Sequence, residues 1–193
     1  MSVHPNQRSA SGLSRTMELT VAAMGIVLVY LFTAVLNFRL PFAPNGGLVH
    51  LGNVPQFVVA ILFGRRLGML AGGLGLSLFD LLSGGAVWAP FTLVIAGAVG
   101  YTVGAVTEKK KTYPRYILGM VLACLINLAG YYVAEGLIYG NWIAPLTSIP
   151  GDLMQIGVSA GITLVIIEPL RSATQRTLWK NRQNLGKESV SHD

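Results

Sequence analysis

Polar side chains recur at helical spacing inside apolar stretches of this chain. Asn127, Tyr131 and Glu135 follow one another every four residues, and Asp152 and Gln155 are three residues apart, so each set lies on one face of a helix. Ionisable groups inside such stretches usually face the interior of a helix bundle, because exposing them to lipid is costly. Carboxyl, amide and phenol groups that meet there would bind a small polar molecule through hydrogen bonds.

The same half of the apolar stretches carries further candidates. Asp80 lies near the end of one stretch, where exposure of a carboxylate to lipid is energetically costly. We expect the carboxylates to accept hydrogen bonds from the edge of a ligand, the amides to add further hydrogen bonds, the aromatic residues to stack on its ring, and residues 45–50 to form a gate. The predicted binding residues are Asn45, His50, Asn53, Gln56, Asp80, Trp88, Asn127, Tyr131, Glu135, Trp142, Asp152 and Gln155.

Several of these residues also have a structural interpretation that the sequence leaves open. Asp152 would serve equally well as a helix N-cap, and His50 would serve to support its loop. Tyr131 and Glu135 would reach toward the membrane interface if they lay on the outside of the bundle. The two tryptophans would then belong to the aromatic belt of the membrane boundary.

Composition predicts the elements that position these residues. Of the 193 residues, 52% are hydrophobic and 11% are charged, with a mean hydropathy of +0.58, whereas a soluble domain has about 25% charged residues. The chain is therefore predicted to be an all-α membrane protein with six transmembrane helices. The predicted spans are residues 17–36, 54–63, 68–82, 90–107, 116–139 and 151–167. The second is too short to cross a membrane alone, so we expect it to lean on its neighbours.

The basic residues predict the orientation of these spans. Thirteen of the 14 lysines and arginines fall in the two tails and in the connections on one side, and only Arg39 lies opposite. The positive-inside rule therefore places both termini in the cytoplasm. Residues 1–16 form an N-terminal tail, 17–170 the membrane domain and 171–193 a basic C-terminal tail. Topology explains the net charge of +6, so nucleic acid is not an expected partner.

Neither redox chemistry nor a cofactor is indicated. Cys124 is a single cysteine, and the sequence has no cluster of cysteine and histidine with metal-binding spacing. The two outward connections, residues 37–53 and 140–150, are rich in Pro, Gly, Asn and aromatic residues, which indicates ordered loops over a site. Small residues in the third, fourth and sixth spans predict close helix packing. A patch of Ala22, Ala23 and Gly25 on the first span is predicted to dock a helix of another membrane protein.

Two sequence runs resemble a known family. The runs are GGLVHLGNVPQFVVAILFGRRLGMLAGGLGLSLFDLLSG (residues 46–84) and WAPFTLVIAGAVGYTVG (residues 88–104), and they resemble the substrate-binding S component of energy-coupling factor (ECF) transporters, in the riboflavin-transporter-like branch. The most specific parts are G-x-V-H-x-G, L-x-G-x-x-x-G-x-x-A-G-G-x-G and the D-L-L-S-G that ends the third span.

The resemblance implies a six-helix S-component fold in the bacterial cell membrane that captures a vitamin or precursor from outside. It also implies docking on a module of one transmembrane coupling subunit and two cytoplasmic ATPases. The sequence has no GxxxxGK[ST] phosphate loop, so those partners would hydrolyse ATP and the chain is not expected to be an enzyme. In the family a small-residue motif on the first helix faces the coupling subunit. The patch on the first span lies at that place, although it lacks the usual Ala-x-x-x-Ala spacing.

The charge of the predicted site disfavours an anionic ligand, because three acids face a single outward base, Arg39. A neutral or weakly basic heteroaromatic molecule fits better, and members of this branch are assigned to pyridoxine or hydroxymethylpyrimidine; riboflavin and thiamin are alternatives. Two other classes stay open. Asp80, His50 and Glu135 are capable of acid–base chemistry in an intramembrane enzyme, but the sequence has no GxSxG or HExxH motif. A stand-alone facilitator would differ in taking up its substrate without an ATPase module.

Overall fold

The computed structural model describes residues 14–39 and 48–190, with the backbone alone at 39, 48 and 177–190. Its helices are α1 (Arg15–Val35), α2 (Asn53–Phe63), α3 (Arg65–Leu82), α4 (Ala89–Glu108), α5 (Tyr113–Tyr139) and α6 (Ile149–Val190). Strands β1 (Asn37–Arg39) and β2 (Leu48–His50) pair antiparallel between α1 and α2, and a 3₁₀ helix, Ala144–Thr147, precedes α6. All six predicted helices are present, and each begins a little earlier than predicted.

The exposed surface of the bundle is strongly apolar. Within the described part of the chain, four helices are long and apolar enough to cross a membrane: α1, α4, α5 and residues 149–176 of α6. Helix α2 is apolar but has only 11 residues, and α3 begins with two arginines. Large apolar side chains such as Val165 (76% exposed) and Val94 (70%) cover the outside, as expected for contact with lipid. The chain is therefore a membrane protein, and the count of six crossings stays a prediction.

The short helix α2 lies at the centre of the bundle. Phe57 and Ile61 pack in a core with side chains of α4, α5 and α6. Val59, on another side of the helix, packs in a second core with side chains of α1 and α3. Most residues of α2 are buried. The prediction that this helix leans on its neighbours is confirmed, and its central place explains how it lines a site without meeting lipid along its length.

Helices α3 and α4 approach each other closely because glycines line their contact. A methyl group at Gly100 would overlap the backbone carbonyl of Gly68. The close packing predicted from small residues is confirmed for these two helices. It is wrong for α6, because within the described part of the chain no atom beyond the helix's own neighbouring backbone lies within 4 Å of the place where a side chain at Gly157 or Gly161 would begin. Small residues permit a close contact, but they do not determine which helices make one.

The small-residue patch on α1 packs inside the bundle. Ala22 and Gly25 are buried, and a side chain at Gly25 would begin 3.1 Å from the Cβ of Ala71 on α3. Of the three patch residues, only Ala23 is exposed. The packing of α1 against α2 and α3 therefore already uses Ala22 and Gly25, and docking of a partner at this patch stays a prediction.

A network of charged groups joins the helices at the end opposite the β-hairpin. Gly64 alone separates α2 from α3, and its φ of +94° lies in the region that favours glycine. Lys111 Nζ donates a 2.7 Å hydrogen bond to the carbonyl of Leu62 near the end of α2, and Arg65 Nε lies 3.6 Å from Glu108. A cation bound to the last carbonyls of a helix is favourable, so this network fixes the connections at this end.

Helix α6 continues beyond its predicted end. The sequence predicts the last span to stop at residue 167 and a basic tail to begin at 171, whereas the helix passes through Pro169 and reaches Val190. The loss of apolar character after the span therefore marks an exit from the apolar layer, and it does not mark the end of helical structure.

Candidate functional site

Three amide side chains form a continuous chain of hydrogen bonds beneath the β-hairpin. The backbone N–H of His50 donates to Gln155 Oε1 at 3.2 Å, and Gln155 Nε2 donates to Asn53 Oδ1 at 3.0 Å. Asn53 Nδ2 donates to Gln56 Oε1 at 3.2 Å, and Gln56 Nε2 donates to the carbonyl of Ala96 at 2.6 Å. We call these residues the amide chain. It connects β2, α6, α2 and α4. Each amide accepts a hydrogen bond from the previous member and donates one to the next, and bonds aligned in this way strengthen one another.

Gln56 shows why the amide chain is positioned so firmly. Its side chain is fully buried, and it fills the space left by Gly72, where any side chain would overlap it. A side chain at Gly100 would also begin 3.0 Å from Gln56 Nε2. The sequence predicts Gln56 as a ligand contact. The structure instead engages its amide with Asn53 and α4, so its observed contacts are those of a positioning residue.

His50 lies at the end of β2 with its ring turned toward the start of α2. Its Nδ1 accepts a 3.2 Å hydrogen bond from the backbone N–H of Gly52, which assigns the proton of the neutral ring to Nε2. Burial lowers the pKa of His50 to about 4, so the ring is neutral at neutral pH. Asn45, the other named residue of the predicted gate, lies outside the described residues, as do all positions from 40 to 47.

Acidic and hydroxyl groups from four helices meet in a second cluster, which we call the acid cluster. Tyr131 on α5 donates a 3.2 Å hydrogen bond to Thr92 Oγ1 on α4, and Thr92 lies close enough to the carboxyl group of Asp80 on α3 to interact with it. Asp152 on α6 lies close enough to Glu135 and Tyr131 to interact with them electrostatically. The acidic side chains predicted from helical spacing are therefore brought together by the fold.

Three buried polar atoms in this region have no hydrogen-bond partner among residues 14–39 and 48–190: Asp80 Oδ2, Asn127 Nδ2 and Ser159 Oγ. Asn127 is 3% exposed and Ser159 is fully buried. Buried polar groups are nearly always paired, because leaving one unpaired is unfavourable by about 1–3 kcal/mol. An acceptor and two groups able to donate are thus available to a bound molecule.

The other predicted residues lie around the acid cluster. Glu135 accepts a 2.9 Å hydrogen bond from the hydroxyl of Ser148, so its side chain is held inward and does not reach to the membrane interface. The ring of Trp88 packs on Tyr139 with centroids 5.9 Å apart. Trp142 packs on the Tyr132 ring at 6.0 Å and is 51% exposed. Trp142 therefore covers a neighbouring face of α5, with its ring on Tyr132.

Three polar residues of the region were missing from the predicted set. Thr92 accepts the hydrogen bond of Tyr131, Ser148 donates one to Glu135, and Ser159 carries a hydroxyl without a partner among the described residues. Helical spacing is a signal for two of them, because Thr92 follows Trp88 by four residues and Ser159 follows Gln155 by four. Ser148 precedes its helix, so no spacing pattern points to it. Within the described ranges, no group of three or more His, Cys, Asp or Glu is placed to hold a metal ion.

We expect Gln155→Leu to loosen the hairpin. The substitution leaves the His50 N–H and Asn53 Oδ1 without their partner, which should lower the free energy of unfolding by about 2 kcal/mol. Thermal unfolding in detergent measures the loss, and hydrogen exchange should show faster exchange at His50. Met154→Leu is the matched control, since Met154 is the exposed neighbour on α6. Exchange at His50 that is unchanged in the Gln155 variant would contradict the role of the amide chain.

Comparison with known proteins gives four findings. Residues 14–172 match the family model of the ECF-type riboflavin transporter, S component. The chain is 28% identical over 158 residues to the thiamine precursor transporter HmpT of Lactococcus lactis subsp. cremoris, which covers 81% of this chain and 89% of that protein. It is 37% identical over 102 residues to an "Uncharacterized protein in gap 3'region" of Pyrococcus woesei, covering 53% of this chain and 68% of that one.

The fourth finding is structural. A solved chain described under "Structure and mechanism of the S component of a bacterial ECF transporter" superposes with a TM-score of 0.67 at 16% identity. The match covers 83% of this chain and 99% of that chain. At this identity the likeness shows a shared fold.

Proposed function

The chain belongs to the family of ECF-type riboflavin transporter S components, and from that premise we propose that it captures a hydroxymethylpyrimidine-type thiamine precursor from outside the cell. As a member of this family it is a membrane-embedded transport subunit that works with an energy-coupling module, and it is not an enzyme. The proposal concerns the ligand, the residues that bind it and the way the subunit is energised.

Two unpaired buried atoms, Asp80 Oδ2 of the acid cluster and Asn127 Nδ2 one turn from Tyr131 on α5, are the observation that carries the ligand proposal. Asp80 Oδ2 is an acceptor without a donor, and Asn127 Nδ2 is a donor without an acceptor. A 4-aminopyrimidine ring presents an amine N–H beside a ring nitrogen that accepts, so one edge of such a ring would pair with both. Tyr131 and Trp88 offer aromatic faces beside this edge. The surplus of acids supports a neutral or weakly basic ligand over an anion.

The relatives support the same ligand class. The Lactococcus lactis protein is named a thiamine precursor transporter, and the match to it extends over most of both chains. Pyridoxine is the nearest competitor, because it is also a small heteroaromatic ring with hydroxymethyl groups. Thiamin and riboflavin are larger and would extend beyond the acid cluster.

The amide chain would act indirectly in binding. Its three side chains bond one another and the backbone of α4 and β2, so they hold β2, α2, α4 and α6 at fixed distances. Two of these elements, α4 and α6, also carry Thr92 and Asp152 of the acid cluster. Asp80, Asn127, Tyr131, Glu135 and Asp152 would then contact the ligand, with residues 45–50 and His50 as the gate. Because the amide chain fixes the elements around it, the residues that contact the ligand would be held in defined positions, as binding groups require.

We propose that release is energised by one transmembrane coupling subunit and two cytoplasmic ATPases, with both termini in the cytoplasm. The clustering of Arg65, Arg66 and Lys109–Lys111 at one end of the bundle supports this orientation. The absence of a phosphate-binding loop in the sequence supports ATP hydrolysis by partners. Uptake by proteoliposomes that contain the chain without its module would instead favour a stand-alone facilitator.

A calorimetric titration of the purified protein tests the ligand. We expect hydroxymethylpyrimidine to bind with a dissociation constant in the nanomolar range, and pyridoxine, thiamin and riboflavin to bind far more weakly. Mass spectrometry of what co-purifies with the protein provides a second readout that does not depend on the choice of compounds. Tight binding of pyridoxine or riboflavin would overturn the ligand proposal, and the absence of binding by all four would overturn capture of this class of vitamin.

A further inference from the structure

A groove of about 510 Å³ lies between α3 and α4 on the outer surface of the bundle. Its walls are almost entirely apolar and include Met69, Leu70 and Leu74 from α3 and Leu93, Val94 and Tyr101 from α4. Gly73 and Gly97 also line the groove. Because they lack side chains, the two helix backbones form its floor. The groove is therefore apolar and open to the outside of the bundle, and it includes no residue of the amide chain or the acid cluster.

Both helices bring a cation to the same end of this groove. Arg66 precedes Leu70 by four residues, so it lies on the groove side of α3, one turn nearer the inner end. Lys109 follows Thr102, another residue that lines the groove, by seven residues or about two turns, and it lies just past the end of α4. Both side chains are exposed. The apolar groove thus ends in a basic mouth at the end where the inner connections lie.

The acid nearest to this mouth is already engaged. Glu108 pairs with Arg65 Nε at 3.6 Å. The guanidinium of Arg65 also lies 5.7 Å from the centre of the Tyr101 ring, over the wall of the groove. The positive charge of Arg66 and Lys109 is therefore left for a further anion.

We propose that this groove binds one anionic phospholipid, with an acyl chain along the glycine floor and the phosphate at Arg66 and Lys109. One molecule of this kind satisfies both features, since its tail matches the apolar walls and its headgroup matches the cations. A helix of a partner protein would cover the walls but would leave the two exposed cations in need of a separate acid. The inference rests on the membrane location of the chain and does not depend on which vitamin it carries.

Native mass spectrometry with added phosphatidylglycerol or phosphatidylcholine of the same chains tests the proposal. We expect the wild-type protein to retain one phosphatidylglycerol in preference to phosphatidylcholine. Each of Arg66→Gln and Lys109→Gln should weaken phosphatidylglycerol binding about fivefold. Ala98→Trp, which fills the groove without changing its charge, should weaken binding of both lipids. The ligand titration and the melting temperature should stay unchanged in each variant.

Matched controls lie on exposed positions elsewhere. Arg176→Gln removes a cation from α6, and Ala129→Trp adds a large side chain to the outside of α5, and neither should affect retention. Equal retention of phosphatidylglycerol by the Arg66 and Arg176 variants would overturn the proposal, as would equal retention of the two lipids by the wild-type protein. A photo-crosslinker at position 98 that captures the coupling subunit in the assembled transporter would also overturn it, by showing that a protein helix fills the groove.

Discussion

Asp80→Ala should lower the affinity for hydroxymethylpyrimidine about 100-fold. The Thr92 hydroxyl lies close to the Asp80 carboxyl group, and Oδ2 is buried without a partner among the described residues. Removing the carboxyl group would leave the ligand amine without its buried acceptor, and such a loss is larger than the loss of a surface hydrogen bond. Asp80→Asn keeps the shape and one acceptor oxygen, so we expect a smaller loss. Calorimetric titration of both variants measures the effect.

Ser77→Ala is the matched control for the Asp80 variants. Ser77 lies one turn earlier on α3 and is 7% exposed, and its hydroxyl bonds the carbonyl of Leu74 in its own helix at 3.3 Å. We expect this variant to bind the ligand like the wild-type protein. If Asp80→Ala also binds like the wild type while both variants keep the same melting temperature, then Asp80 does not contact the ligand.

Gly100→Ala should destabilise the protein by about 3 kcal/mol or more. A methyl group at this position overlaps the backbone carbonyl of Gly68 and begins 3.0 Å from Gln56 Nε2. Backbone atoms cannot rotate away as a flexible side chain does, so α3 and α4 must separate. The separation would stretch the 2.6 Å bond from Gln56 to the Ala96 carbonyl, which anchors the amide chain on α4. Thermal and chemical unfolding in detergent measure the loss.

Gly161→Ala gives the same chemical change in a place where no described residue outside the neighbouring helix backbone lies within 4 Å of the added methyl group. Alanine favours helix over glycine by about 0.5–1 kcal/mol, so this variant should be as stable as the wild type or slightly more stable. A lower free energy of unfolding in Gly100→Ala and an unchanged or higher one in Gly161→Ala would show that the packing around each glycine determines the effect of the methyl group. Equal destabilisation by Gly100→Ala and Gly161→Ala would contradict the backbone contact between α3 and α4.

The sequence alone determined the class of the protein and the faces that carry its polar groups. Composition placed the chain in a membrane, and runs of apolar residues predicted all six helices with their starting points nearly correct. The four-residue spacing of Asn127, Tyr131 and Glu135 put them on one face, and that face does turn into the bundle. These features depend only on residues that are close in sequence. The period of a helix determines which residues share a face, and the hydrophobicity of a contiguous segment determines whether it enters the membrane.

The tertiary structure alone decided how these faces meet. The amide chain needs Gln155 and Asn53, which are more than 100 positions apart, and no spacing rule relates residues on different helices. The same reason explains the wrong packing prediction for α6. Its small residues look like those of α1 in sequence, but Gly25 packs against Ala71, whereas no other described helix comes within 4 Å of a side chain built at Gly161. Helical periodicity fixes each face relative to its own axis. The rotation and depth of that axis among its neighbours follow from the packing of the whole bundle.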